Sequence, residues 1–70
     1  MPPIYVIYDH PLDFPDLFVC RVWHGERIAE AEPLMVAATL DEIRDALEAR
    51  GLVNMGRYAE DDPAIAEAWI

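Results

Sequence analysis

Several residue types on which catalytic and ligand sites depend are missing from this chain. It contains no serine, no lysine and no glutamine, and its one cysteine is Cys20. Without serine there is no serine nucleophile. A lone cysteine closes no internal disulfide, which suits a reducing compartment. The three glycines stand apart at positions 25, 51 and 56, so no glycine-rich loop can cradle a phosphate. Positive charge is scarce as well: five arginines face 14 acidic residues, for a net charge of −9. That surplus repels nucleic-acid phosphates and anionic lipid headgroups, so direct nucleic-acid or membrane-surface binding is not expected. Uncharged stretches such as Pro33 to Leu40 are far shorter than the ~20 residues a spanning helix needs. Met1 to Asp9 lacks the basic segment that opens a signal peptide, and a cytoplasmic location is expected.

What is present is apolar and aromatic. Hydrophobic residues make up 54% of the 70, including two Trp, three Tyr and two Phe, more than a disordered segment carries. The length allows a single domain, residues 1–70. A chain this short buries only ~60% of the surface it exposes when unfolded, so its stability margin is thin. Alanine occurs ten times, a bias that fits a GC-rich bacterial genome.

Ile4 to Tyr8 is a β-branched and aromatic run bounded by prolines and Asp9, which predicts a strand with two apolar faces. The following stretch, through Pro11 and Pro15 to Asp16, is a loop by its prolines and aspartates. Leu12 and Phe14 are expected to fold this loop onto the core. Leu17 to Trp23 predicts a second strand, with a tight turn at His24-Gly25 and a weaker third strand from Glu26 to Ala31. Leu34 to Ala38 either extends that strand or leads into a helix. The helix itself is well signposted. Thr39 and Glu42 have the spacing of a capping box; Leu40, Ile43, Ala46 and Leu47 form one stripe; Gly51 and Leu52 suit a Schellman ending. Val53 to Met55 reads as a short extended piece. Asp61-Asp62-Pro63 could open a helix, but the few residues after it favour a final strand that pins the C-terminus.

The order β-β-β-α-β predicts an α+β domain: a small antiparallel sheet of three to four strands, with one helix, about 40–50, packed on one face. One helix covers one face, whereas the first two strands carry bulky apolar groups on both. Tyr5 and Ile7 oppose Ile4, Val6 and Tyr8; Val19 and Trp23 oppose Phe18, Cys20 and Val22. The uncovered set needs a lid, and a twofold dimer through the sheet is the economical one. The candidate interface residues are Tyr5, Ile7, Val19, Trp23, Tyr58 and Trp69, since Trp and Tyr concentrate at interface hot spots.

The wording Tyr5-Val6-Ile7-Tyr8-Asp9, Pro11, Asp13, Pro15, Leu17-Phe18-Val19, Arg21, Trp23, with the ending Asp61-Asp62-Pro63, Ile65, Glu67-Ala68-Trp69-Ile70, resembles small uncharacterised proteins of proteobacterial genomes and prophages. The resemblance covers about half the chain and includes no catalytic signature. It implies a bacterial or phage-borne origin and carries over no site residue.

Three constellations could carry chemistry, and each has a plainer reading. Asp9, His10, Asp13 and Asp16 offer hard ligands on the loop, but their spacing matches neither a calcium loop nor a zinc signature; Asx turns explain them. Cys20 and His24 share a strand face but lie ~13 Å apart at ~3.3 Å per residue, too far for a thiol–imidazole pair. Glu67 is expected to be half-buried and paired with Arg21 or Arg57. No catalytic residue, metal, cofactor or small-molecule ligand is assigned, and an enzyme is not expected. The expected role is a protein–protein interaction or accessory module that forms a homodimer or binds another protein. An acidic, phage-type mimic of nucleic acid is the alternative, and a small metal-dependent sensor or enzyme a distant second.

Overall fold

The computed structural model describes residues 2–25, 27–28, 32–57 and 62–70. The chain forms β1 (Ile4–Asp9), β2 (Phe18–His24), β3 (Arg27–Ile28), β4 (Met35–Ala37), α1 (Leu40–Ala49), β5 (Asn54–Gly56) and β6 (Ile65–Trp69). It is an α+β domain. All pairings are antiparallel, in the order β3-β2-β1-β6-β5, with β4 lying beside β3 on the outer edge of β2. The sheet thus holds six strands across five positions, where the sequence pattern predicts three to four strands. The additions, β4 and β5, are three residues each. The first falls on Leu34 to Ala38, which the sequence leaves between strand and helix lead-in, and the second overlaps Val53 to Met55, which reads as a short extended piece.

The final strand is β6, and it pairs with β1 rather than lying at an edge. Asp62 explains why no helix starts there: its Oδ1 accepts from Ala64 N at 2.9 Å and its carbonyl from Ile65 N at 2.8 Å. This closes a turn that releases the chain directly into the strand. Between Ile7 and Tyr8 the β1–β6 register shifts, so Ala66 is an extra residue in β6. The bulge lets Ala66 and Glu67 serve one face while Ile65 serves the other. His24 pairs with Arg27, which moves the reversal from His24-Gly25 onto Gly25, where φ is 63°. Most of the predicted third strand lies outside the described residues.

The helix forms as its signals dictate. Thr39 Oγ1 accepts from Glu42 N, and Glu42 Oε2 accepts in turn from Thr39 N. At the other end Leu52 N donates to Leu47 O and Gly51 N to Glu48 O, a complete Schellman motif with Gly51 at φ 81°. Thr39→Ala is expected to cost ~1 kcal/mol, a fall of ~4–8 °C in melting temperature for a domain of this size; thermal melts by circular dichroism check it.

Ile43 and Leu47 face the sheet and are fully buried, together with Ile7, Cys20 and Trp69. Tyr5, Phe18, Leu34, Met35, Leu40 and Leu52 pack around them. Among the described residues no helix is long and apolar enough to cross a membrane.

The loop between β1 and β2 departs from expectation. Two turns, Phe14 N to Pro11 O and Leu17 N to Phe14 O, are locked by His10 N to Leu17 O. Phe14 is half-buried, but Leu12 is 102% exposed and touches no core. The proline-set turns point it outward.

Candidate functional site

The helix settles which face of the sheet is covered. Tyr5, Ile7, Cys20 and Trp69 face α1, so alternation sends Ile4, Val6, Tyr8, Val19, Arg21, Trp23 and Ala68 to the opposite face. Register arranges that second face in three rows. Trp23 sits opposite Ile4; one step beyond the Tyr5–Trp69 pair, Ile4 adjoins Ile70. Ile70 and Val53 exchange backbone hydrogen bonds of 2.7 and 3.0 Å. The first row is therefore Trp23, Ile4, Ile70, Val53. The second is Arg21, Val6, Ala68, Gly56, and the third Val36, Val19, Tyr8, Ile65. Arg21 is the sole charge in these rows, and Asp13 Oδ2 of the β1–β2 loop accepts from its Nη2 at 2.7 Å. That pair draws the loop to this face.

The rows are open to solvent in part: Val6 and Val19 are buried, Tyr8, Trp23, Ile65 and Ala68 half-buried, and the exposed groups lie in the first row and at the outer end of the third. Ile4 is 37% exposed, Val36 41%, Ile70 49% and Val53 61%. Between them lies a cavity of about 320 Å³ lined by Ile4, Val6 and Tyr8 of β1, Trp23 and Gly25 from β2 and its turn, and Ile65 and Ala68 of β6. Small residues, Gly25 and Ala68, leave the space; the large ones form its rim. Trp23 Nε1 donates to the Tyr8 hydroxyl at 3.1 Å, which ties the two aromatic tips together over the face. Burial pushes the Tyr8 phenol above its ordinary pKa, against the Trp23 hydrogen bond and the Arg21 charge. The phenol is therefore neutral at physiological pH.

The predicted interface residues separate. Trp23 lines the cavity. Ile7 and Trp69 lie in the helix-side core, with Tyr5 packed beside them. Val19 belongs to the second face but is fully enclosed between Tyr8 and Val36 of the register. Tyr58 lies outside the described residues. Ile4, Val6, Tyr8, Ile65 and Ala68, which line the cavity, are not among those predicted. Arg21 was the usable signal. A mid-strand arginine marks its face as the one away from the helix, and pairing then puts Ile4, Val6 and Tyr8 with it.

The other constellations resolve into structure. Asp9 and His10 bond each other, and Asp13 is engaged by Arg21. Among the described residues no three His, Cys, Asp or Glu stand close enough to share an ion. Cys20 is sealed in the core, where burial pushes its thiol up to about 11 despite Arg50, so it is a neutral hydrophobe at physiological pH.

Glu67 is more deeply buried than expected, at 7% exposure, and its partner is neither Arg21 nor Arg57. Arg44 donates from Nε to Oε1 at 2.9 Å and from Nη2 to Oε2 at 2.6 Å. Asn54 Nδ2 adds 3.0 Å to Oε2 and Trp69 Nε1 adds 3.2 Å to Oε1. Arg44 thus reaches the sheet while its Nη1 also donates to Asp41 Oδ1 at 3.5 Å, and Arg57 donates from Nε to the Ile65 carbonyl at 2.9 Å. Besides Glu67, the described acidic side chains are spread over the end of β1 (Asp9), the loop after it (Asp13, Asp16), the stretch before β4 (Glu32), the helix (Asp41, Glu42, Asp45, Glu48) and the turn before β6 (Asp62). No protein-family model, curated protein or solved structure matches the chain.

Proposed function

We propose that this chain is a non-catalytic interaction module that self-associates through the second face of its sheet. One observation carries this reading: the three apolar rows, whose sole charge is engaged by Asp13. The exposed members of these rows, Ile4, Val36, Val53 and Ile70, flank an apolar cavity, and a patch of this kind is often a contact site. The groups that could do chemistry are committed elsewhere: Glu67 to Arg44, the Tyr8 hydroxyl to Trp23, and Cys20 to the core. The distribution of acids over loop, helix and turn favours this reading over a nucleic-acid mimic, which needs its carboxylates in ordered rows on one side.

Light scattering coupled to size exclusion is the test. The parent chain is expected to run as a dimer at ~100 μM, and Ile4→Asp to raise the dissociation constant by at least about tenfold, since it puts an unpaired charge in the contact. Ile4 is 37% exposed and lies in a strand, so the melting temperature of the variant is read alongside, and a folded monomer is the expected result. Salt supplies a second readout. At −9 per chain, apolar contact with mutual repulsion strengthens as salt rises, whereas charge pairing would weaken. A parent chain that stays monomeric at millimolar concentration overturns the proposal.

A further inference from the structure

The sheet face is too small to hold a dimer by itself. At ~4.8 Å between strands and ~6.7 Å between same-face neighbours, its three rows cover roughly 19 by 20 Å, on the order of 400 Å². A stable interface buries ~800 Å² per partner. Something beside the rows must join the contact, and it must be apolar and rigid. The β1–β2 loop meets both needs. Leu12 at its tip is 102% exposed, while the loop carrying it is fixed by three backbone hydrogen bonds and the 2.7 Å Arg21–Asp13 pair. Holding Leu12 out in the bound position therefore requires little further ordering.

From this, and resting on the self-association reading above, we infer that Leu12 of each copy seats in the cavity of a second copy, between Ile4, Val6, Tyr8, Trp23, Ile65 and Ala68. The cavity, at about 320 Å³, has room for a leucine side chain, and its lining is apolar. Symmetry permits both contacts at once. The loop follows Asp9, so it lies at the opposite end of the β1–β2 hairpin from the Ile4–Trp23 pair. A twofold axis between the two faces, running across the strands, reverses strand direction. Each loop then falls over the Ile4–Trp23 end of the other copy, and the two Leu12 contacts are equivalent. The four acids of α1 (Asp41, Glu42, Asp45 and Glu48) sit in the layer on the far side of each sheet, where the two charged layers are farthest apart.

The experiment uses the full chain. Leu12→Asp is expected to weaken the dimer by at least about tenfold with an unchanged melting temperature in dilute solution. Separately, a Leu12→Cys chain is mixed with an Ile4→Cys chain and oxidised with oxidised glutathione. Cys20, sealed in the core, does not compete. A mixed Leu12–Ile4 disulfide in excess of either like-with-like product is expected. A parent dimer that Leu12→Asp leaves intact overturns the inference while the self-association reading stands. So does a dimer that Leu12→Asp weakens but that cross-links Leu12 to Leu12, loop against loop. A parent chain that never dimerises removes both.

Discussion

Trp69→Ala is expected to leave the chain largely unfolded at 37 °C. Trp69 is 3% exposed and stands in the cluster that joins α1 to the sheet, with Ile7, Cys20, Ile43 and Leu47. Truncating a buried Trp costs ~3–5 kcal/mol, whereas a domain of 70 residues has only ~3.5–10 kcal/mol in total. The damage also reaches the polar side, because Trp69 Nε1 is one of four donors on the Glu67 carboxylate. Trp69→Phe separates the two effects. It keeps most of the apolar area and loses the hydrogen bond, for ~1 kcal/mol. Urea titrations followed by Trp23 fluorescence measure both variants, and a Trp69→Ala midpoint within error of the parent would refute the assignment of Trp69 to the core.

The difference between Trp69 and Trp23 shows where sequence reading ends. Both belong to apolar strands, and composition alone makes each an equal candidate for an interface. The helix was legible because its ends are written in specific residues: Thr39 and Glu42 reach each other, Gly51 supplies positive φ, and Leu40, Ile43 and Leu47 repeat at helical spacing. Nothing within β1 writes which side the helix takes, because Ile4, Val6 and Tyr8 are as apolar as Tyr5 and Ile7; the written hint is Arg21 on β2, and it reaches β1 only through the Val6–Arg21 pairing. The choice follows from long-range pairing and above all from Ala66, whose bulge turns Glu67 and Trp69 toward α1 and Ile65 away. That information is tertiary. The same holds for Arg44, which the helical pattern alone assigns to the acidic outer side; only the placement of β6 next to β1 brings Glu67 within its reach.

The face left over by that choice has a consequence for solution behaviour. A charge of −9 normally keeps small domains apart, yet its described carriers on the helix lie behind the sheet from the open rows. The helix acids are thus held away from the contact, while Asp13 and Asp16 on the loop lie beside it and supply the repulsion that ionic strength should tune.

Glu67→Gln is expected to destabilise the domain by ~1–3 kcal/mol at pH 7, because an amide NH₂ then faces two donors where a carboxylate oxygen accepted both. The pH dependence identifies the cause. The Arg44 guanidinium holds the Glu67 carboxyl below the usual carboxylate range, with Asn54 and Trp69 assisting and burial opposing. A carboxyl depressed in the folded state stabilises at pH above its unfolded value of ~4.3, and that contribution disappears as pH falls through the folded value. The parent therefore loses its advantage on acidification while Glu67→Gln, which has nothing to titrate there, does not, and the gap between them should close toward pH 3. Arg44→Met should be the harsher change at pH 7. It strands a buried carboxylate on two neutral donors, whereas Glu67→Gln frees an arginine already 38% exposed to turn to water. Without the guanidinium the Glu67 carboxyl titrates higher than in the parent, so this variant too should gain on the parent as pH falls. Urea midpoints at pH 7, 5 and 3.5 decide the matter: a parent-to-variant gap constant across that range would mean that the buried carboxylate is not what joins the helix to β6.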